Sequence, residues 1–188
     1  NSQGYKVDGV LETFFENGRK QSDFNVYYKQ PDCYKVELQS VENTEKQIIL
    51  KNTDGVFVLV PSVNKNFKIK STWPTNASYP YLLQSLAQDI TNDEEAITTE
   101  NETTYSIQTK TKMHTEADAV SQKIIFSKET NKLTEVLVYE NDGDLFMRCV
   151  FKNIDLEYNV NDDEFNVEKS MTTAYLSYGK DGLVFNDR

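Results

Sequence analysis

Histidine, cysteine, positive charge and long apolar runs are all scarce in this chain, and each shortage excludes something. The single histidine, His114, is flanked by Met113 and Thr115. Catalytic triads and histidine-containing zinc sites need an imidazole beside a nucleophile or further ligands, so His114 reads as a surface or structural residue. Thirty acidic residues against twenty basic ones leave a net charge of −10. Nothing in that balance would neutralise a run of phosphates, so nucleic acid is not an expected partner. No apolar run approaches the ~20 residues that span a bilayer as a helix. A phosphate-binding glycine loop and a redox cysteine pair are also missing, and with so many carboxylates a suitably spaced pair carries no weight.

Cys33 and Cys149 are the only cysteines. Strand alternation puts Cys33 on a solvent face with Lys35 and Glu37, opposite Tyr34, Val36 and Leu38. The same reading puts Cys149 inside with Leu145, Met147 and Phe151. Two cysteines of opposite parity do not bridge without a bulge, so both are expected as free thiols.

What the chain has in abundance is hairpin punctuation. Asn17-Gly18, Asp54-Gly55, Asp142-Gly143 and Asp181-Gly182 are turn dipeptides, the first three set between runs of Val, Ile, Leu, Phe and Tyr. Tight hairpin turns need positive φ, which Gly and Asn/Asp tolerate. Strands are expected over 7–16, 22–30, 33–40, 47–51, 56–60 and 67–70, then over 105–111, 121–127, 133–140, 145–158 and 172–178. The run Val56–Val60 is apolar on both faces, so something must cover both sides of the sheet there. Pro80 to Ile90 reads as a helix, with Leu82, Leu83, Leu86, Ala87 and Ile90 at helical spacing. It is either a core helix lying on the Val56–Val60 strand or a lid over an apolar cleft. Residues 93–104 read as a polar, acidic connector. The clusters Asp142-Gly143-Asp144 and Asp162-Asp163-Glu164 lack the spacing of a calcium loop and read as solvated turns. Without internal repeats or a Pro/Ser-rich linker, residues 1–188 form one domain.

The order of these features resembles the bacterial outer-membrane lipoprotein carrier (LolA-like) superfamily. Its motifs are matched by Lys29-Gln30-Pro31 after the Asn-Gly hairpin, then Asp54-Gly55, Phe57 and Pro61. Phe67–Lys70 and Pro80-Tyr81-Leu82-Leu83 follow, and Phe151–Ile154, Asn159 and Phe165 complete the series over roughly 5–170. The resemblance implies a mainly β fold, a curved and incompletely closed antiparallel half-barrel with one helix packed on the sheet. Lys35 stands where the family has an arginine, and residues 1–188 do not include the carriers' N-terminal amphipathic helix, which would then precede Asn1.

A composition rich in Asn, Lys, Ile and Tyr is similar to that of low-GC Gram-positive chains, where the superfamily occurs as membrane-anchored lipoproteins. The chain is most like the clostridial spore germination lipoproteins among them. That likeness implies a non-catalytic partner of a cortex peptidoglycan amidase, an N-acetylmuramoyl-L-alanine amidase that carries its own zinc. It implies extracytoplasmic localisation in the spore envelope through a lipid anchor, with an export segment removed ahead of Asn1. The alternative is a carrier or sensor holding a lipid or lipoprotein acyl chain in the concave face. Large inward aromatics fill space, which favours the amidase partner. No catalytic, metal or cofactor residue is nominated. Trp73, Tyr79 and Tyr81, on a loop stiffened by Pro74 and Pro80, are nominated as a partner-binding patch; the alternative is that they cap the core. Open sheet edges and the hairpin Tyr5 to Gln30 predict a strand-swapped or edge-paired homodimer at high concentration.

Overall fold

The computed structural model describes residues 3–113 and 119–182. Eleven strands form one antiparallel sheet: β1 (Gly4–Phe15), β2 (Gly18–Lys29), β3 (Cys33–Ser40), β4 (Lys46–Asn52), β5 (Gly55–Val60), β6 (Lys65–Ile69), β7 (Ile97–Glu100), β8 (Thr104–Lys110), β9 (Ala119–Ser127), β10 (Leu133–Glu140) and β11 (Leu145–Asp155). Two helices accompany them, α1 (Leu83–Asn92) and α2 (Val167–Gly182). The spatial order is β6-β5-β4-β3-β2-β1-β11-β10-β9-β8-β7, so the sheet is open, with β6 and β7 as its edges. Every neighbour is also a neighbour in sequence except β1 and β11, which join two meanders at the centre.

Turn chemistry drives the hairpins as expected. Gly18, Gly55 and Gly143 all take positive φ, at 151°, 138° and 93°. Gly9 answers a different need. It sits at the bulge between β1 and β11, where an added Cβ would collide with the Val150 carbonyl oxygen and stand 2.7 Å from Phe24 Cζ. The absent side chain is what lets β11 close on β1 while Phe24 packs across them.

Alternation divides the side chains between two cores. Tyr5, Val7 and Leu11 of β1, Phe24 and Val26 of β2, and Tyr34 and Val36 of β3 face Trp73, Tyr81, Leu82 and Leu86 on the α1 side. Ile48, Leu50 and Leu59 project the other way, against Met171 and Ala174 of α2. The two-faced strand Val56–Val60 is thus explained, with a change of partner. Its second cover is α2, and α1 lies instead over β8 and β9.

The segment 172–178, expected as a strand, is part of α2, so a second helix joins the one expected. Asp181-Gly182 lies within that helix rather than turning a hairpin. The acidic connector contains the short strand β7. Lys35, expected in solvent, is buried, because the turn before α2 covers it. Cys33 and Cys149 are unpaired thiols, half-buried and buried respectively. His114 lies outside the described residues.

Candidate functional site

The concave face holds an unbroken chain of rings. Tyr5–Tyr28, Tyr28–Tyr34, Tyr34–Trp73 and Trp73–Tyr79 centroids are 5.1, 4.9, 5.9 and 6.2 Å apart. Tyr79–Tyr81, Tyr81–Phe24 and Phe24–Phe151 continue it at 6.0, 6.1 and 5.8 Å. Tilted and edge-on pairs in this range each add ~0.5–1.5 kcal/mol beyond area burial. The residues come from β1, β2, β3, β11 and the loop before α1, so the chain knits the loop to the sheet. Burial raises the Tyr5 and Tyr81 hydroxyls well above the ordinary phenol range, and it pushes Tyr34 up to about 12. These phenols stay neutral: the Tyr5 hydroxyl donates to Gln84 Oε1 on α1.

The three residues nominated as a patch are brought together here, but inward. Trp73 is 3 % exposed and Tyr81 6 %; only Tyr79 reaches the rim, where its hydroxyl donates to Asn76 Oδ1 at 3.0 Å. Trp73 and Tyr81 cap the core.

A polar latch holds the far end of α1. Ser78 Oγ donates to Asp89 Oδ1 at 3.0 Å and itself accepts the Lys112 backbone N–H at 2.9 Å. Gln122 Nε2, fully buried on β9, reaches Asp89 Oδ2 at 2.7 Å and Thr109 Oγ1 at 3.2 Å. Desolvation raises the Asp89 carboxyl above its ordinary value despite those donors.

Between α1 and the sheet lies an apolar groove of about 320 Å³, lined by Leu83, Leu86, Ala87 and Ile90 from the helix. Ile124 and Phe126 of β9, Leu133 of β10, and Ile154 and Leu156 continue the lining, with Asn131 and Lys132 of the β9–β10 turn at its polar side. The groove exists because β10 and β11 part company: their ladder reaches only Glu135–Val150, while β11 continues to Asp155 beside β1 alone. No periodicity rule could have found it, since it depends on where a ladder stops.

On the outer face, Lys35 Nζ contacts Glu37 and Glu164 at 3.1 and 2.7 Å and stands 5.1 Å from the Tyr27 ring centre. The cluster Asp162-Asp163-Glu164 forms a short 3-10 turn, with Asp162 against Lys29, Asp163 against Lys169 and Glu164 against Lys35. Asp142 Oδ1 accepts the Asp144 N–H inside the β10–β11 turn. Neither thiol is activated: burial raises Cys33, and raises Cys149 far more. Among the described residues no group of three or more His, Cys, Asp or Glu could hold a metal ion. None of their helices is long and apolar enough to cross a membrane.

The class that this geometry defines is an open antiparallel half-barrel whose concave side is occupied by its own helix and rings. No family model matches the chain. It is 33 % identical over 163 residues to the sporulation protein YdcC of Bacillus subtilis, a match covering 86 % of this chain and 48 % of that protein. The chain therefore spans about half the length of that relative. Similar solved structures include a chain of the complex between the CwlD amidase from Clostridioides difficile and the GerS lipoprotein. There the identity is 16 % and the TM-score 0.49, over 86 % of this chain and 88 % of that one. A LolA superfamily protein from Nitrosomonas europaea is similar at 10 % identity and TM-score 0.42, over 89 % and 91 %.

Proposed function

We propose that this domain is a non-catalytic, extracytoplasmic lipoprotein module that binds and enables a cortex peptidoglycan amidase in spore formation or germination. The amidase, an N-acetylmuramoyl-L-alanine amidase, brings its own zinc, and a lipid anchor ahead of Asn1 holds the module at the membrane. The observation that carries this reading is the ring chain from Tyr5 to Phe151, which fills the concave face with the protein's own side chains. A space so filled serves a scaffold better than a cargo hold. Relatedness to a sporulation protein supports the setting, and the motif order along the sequence supports the partner.

The test is reconstitution. Cortex peptidoglycan is incubated with the amidase, with this domain, and with both, and released stem peptides are quantified. The domain alone should release nothing, and the mixture should exceed the amidase alone. Equal release with and without the domain would sink the reading.

A second reading rests on the apolar groove under α1, whose volume of about 320 Å³ falls at the lower end of ligand pockets. There the domain would hold an acyl chain as carrier or sensor. Co-purification with lipid, together with indifference to the amidase, would establish it instead.

A further inference from the structure

The edge strand β6 concentrates lysines on a free sheet edge. Lys65 and Lys68, with Lys70 just beyond, make no ion pair with any described residue in a chain of net charge −10. Lysines nearby are engaged: Lys51 pairs with Asp32 and Lys46 with Glu37. At the opposite edge, Glu100 and Glu95 are neutralised by Lys128 and Lys110. The β6 edge thus carries lysines without a carboxylate partner among the described residues, whereas at the other edge the lysines that reach β7 are already paired with its carboxylates.

That edge is also apolar on one side. Ladder partners share a face, and Phe67 and Ile69 pair with Val58 and Val56, continuing the concave row outward. Phe67 is 51 % exposed. Asn66, Lys68 and Lys70 alternate with them on the other face, where Lys68 Nζ lies 5.8 Å from the Phe57 ring centre. The outer backbone donors and acceptors of β6 have no strand beside them.

We propose that β6 is a strand-addition site for an extended segment of another protein in which acidic and apolar residues alternate. Main-chain bonds to the free edge supply affinity, and side-chain alternation supplies selectivity. Apolar residues of the incoming strand extend the row Val56–Ile69 and Val58–Phe67, and its carboxylates stand beside Lys68 and Lys70. The same lysines oppose pairing with β6 of a second copy, because like charges across a ladder are destabilising. This inference does not depend on the amidase reading.

The probe is a fluorescein-labelled peptide, Glu-Val-Glu-Ile-Glu-Val-Glu, titrated with the full chain by fluorescence anisotropy. Binding should weaken as salt is raised. Lys68→Glu/Lys70→Glu should weaken it about tenfold, while shifting preference to Lys-Val-Lys-Ile-Lys-Val-Lys. A control with the same charge change elsewhere, Lys20→Glu/Lys123→Glu, should have little effect. Hydrogen exchange should slow over 65–69 on binding. Absence of binding at millimolar chain, equal loss in both double variants, or protection confined to other strands would overturn the proposal. So would light scattering that shows a dimer abolished by Lys68→Glu/Lys70→Glu, since the occupant would then be the chain itself.

Discussion

Lys35 and Glu164, 129 positions apart, meet as a 2.7 Å ion pair on the outer face of the sheet. The pair ties the short turn before α2 to the middle of β3, and Glu37 and the Tyr27 ring complete the lysine's surroundings. Its ammonium is enclosed while Glu164 is only partly so. Glu164→Gln should therefore destabilise the domain by about 1–3 kcal/mol, the cost of depriving an enclosed charge of one partner. Lys35→Met should cost less, because it removes the buried charge together with its need for partners. Urea midpoints of both variants decide the order, and the reverse order would contradict the enclosure argument.

The Asp89 latch makes stability depend on pH. A carboxyl whose folded pKa lies above its unfolded value binds more protons in the folded chain. Stability from this group is then greatest in acid and is lost as pH rises through the folded pKa. Lys112 opposes the shift, and the neighbouring Asp93 adds to it after desolvation. Asp89→Asn should raise the melting temperature at neutral pH, with the gain shrinking as pH falls towards the ordinary carboxyl range. A gain that is flat with pH would exclude the mechanism.

Trp73 tests the ring chain. Its indole nitrogen is buried without a hydrogen-bond partner, so its contribution is packing. Trp73→Ala should cost about 3–5 kcal/mol, whereas Trp73→Phe should cost clearly less, since no polar contact is lost. Tyr79→Ala, at the rim, should fall below both. Circular dichroism melts of the three variants provide the ranking.

The thiols offer a fourth check. Intact mass under alkylation should show no disulfide, with partial modification of Cys33 in the native protein and of Cys149 only on unfolding. A mass lower by two hydrogens would contradict the opposite placement of the two side chains.

How much of this was legible in the sequence follows from the range of the interactions concerned. The hairpins at Gly18, Gly55 and Gly143 were readable because a turn needs only two residues of the right kind. A strand is expected over 172–178, where helix α2 stands, because Thr172, Thr173, Tyr175 and Leu176 have β-forming side chains. The overriding signal was present as Val167, Met171 and Ala174, at the i, i+4, i+7 spacing of a helix face. Lys35 was misplaced for the same reason. Alternation assigns a face, but it cannot say that a distant turn will cover that face. Strand β7 is four exposed residues at an edge, Ile97 followed by Thr98, Thr99 and Glu100, too short to show an apolar alternation. The loop aromatics Trp73 and Tyr81 were read from proline stiffness, which fixes a loop's shape without fixing which way its rings point.

The seam between β1 and β11 sets a schedule. In a chain emerging from its N-terminus, β1 is made before the other ten strands described, and its central partner is the last of them, completed at Asp155. The meander from β1 to β6 can zip locally, but one flank of β1 stays open until nearly the whole sheet exists. During that interval β1 is itself an edge, carrying Val7 and Leu11 that will later lie in the core. Whatever accompanies this chain while it is being made must shield that flank, and only afterwards does the burden of an open edge pass outward to β6 and β7.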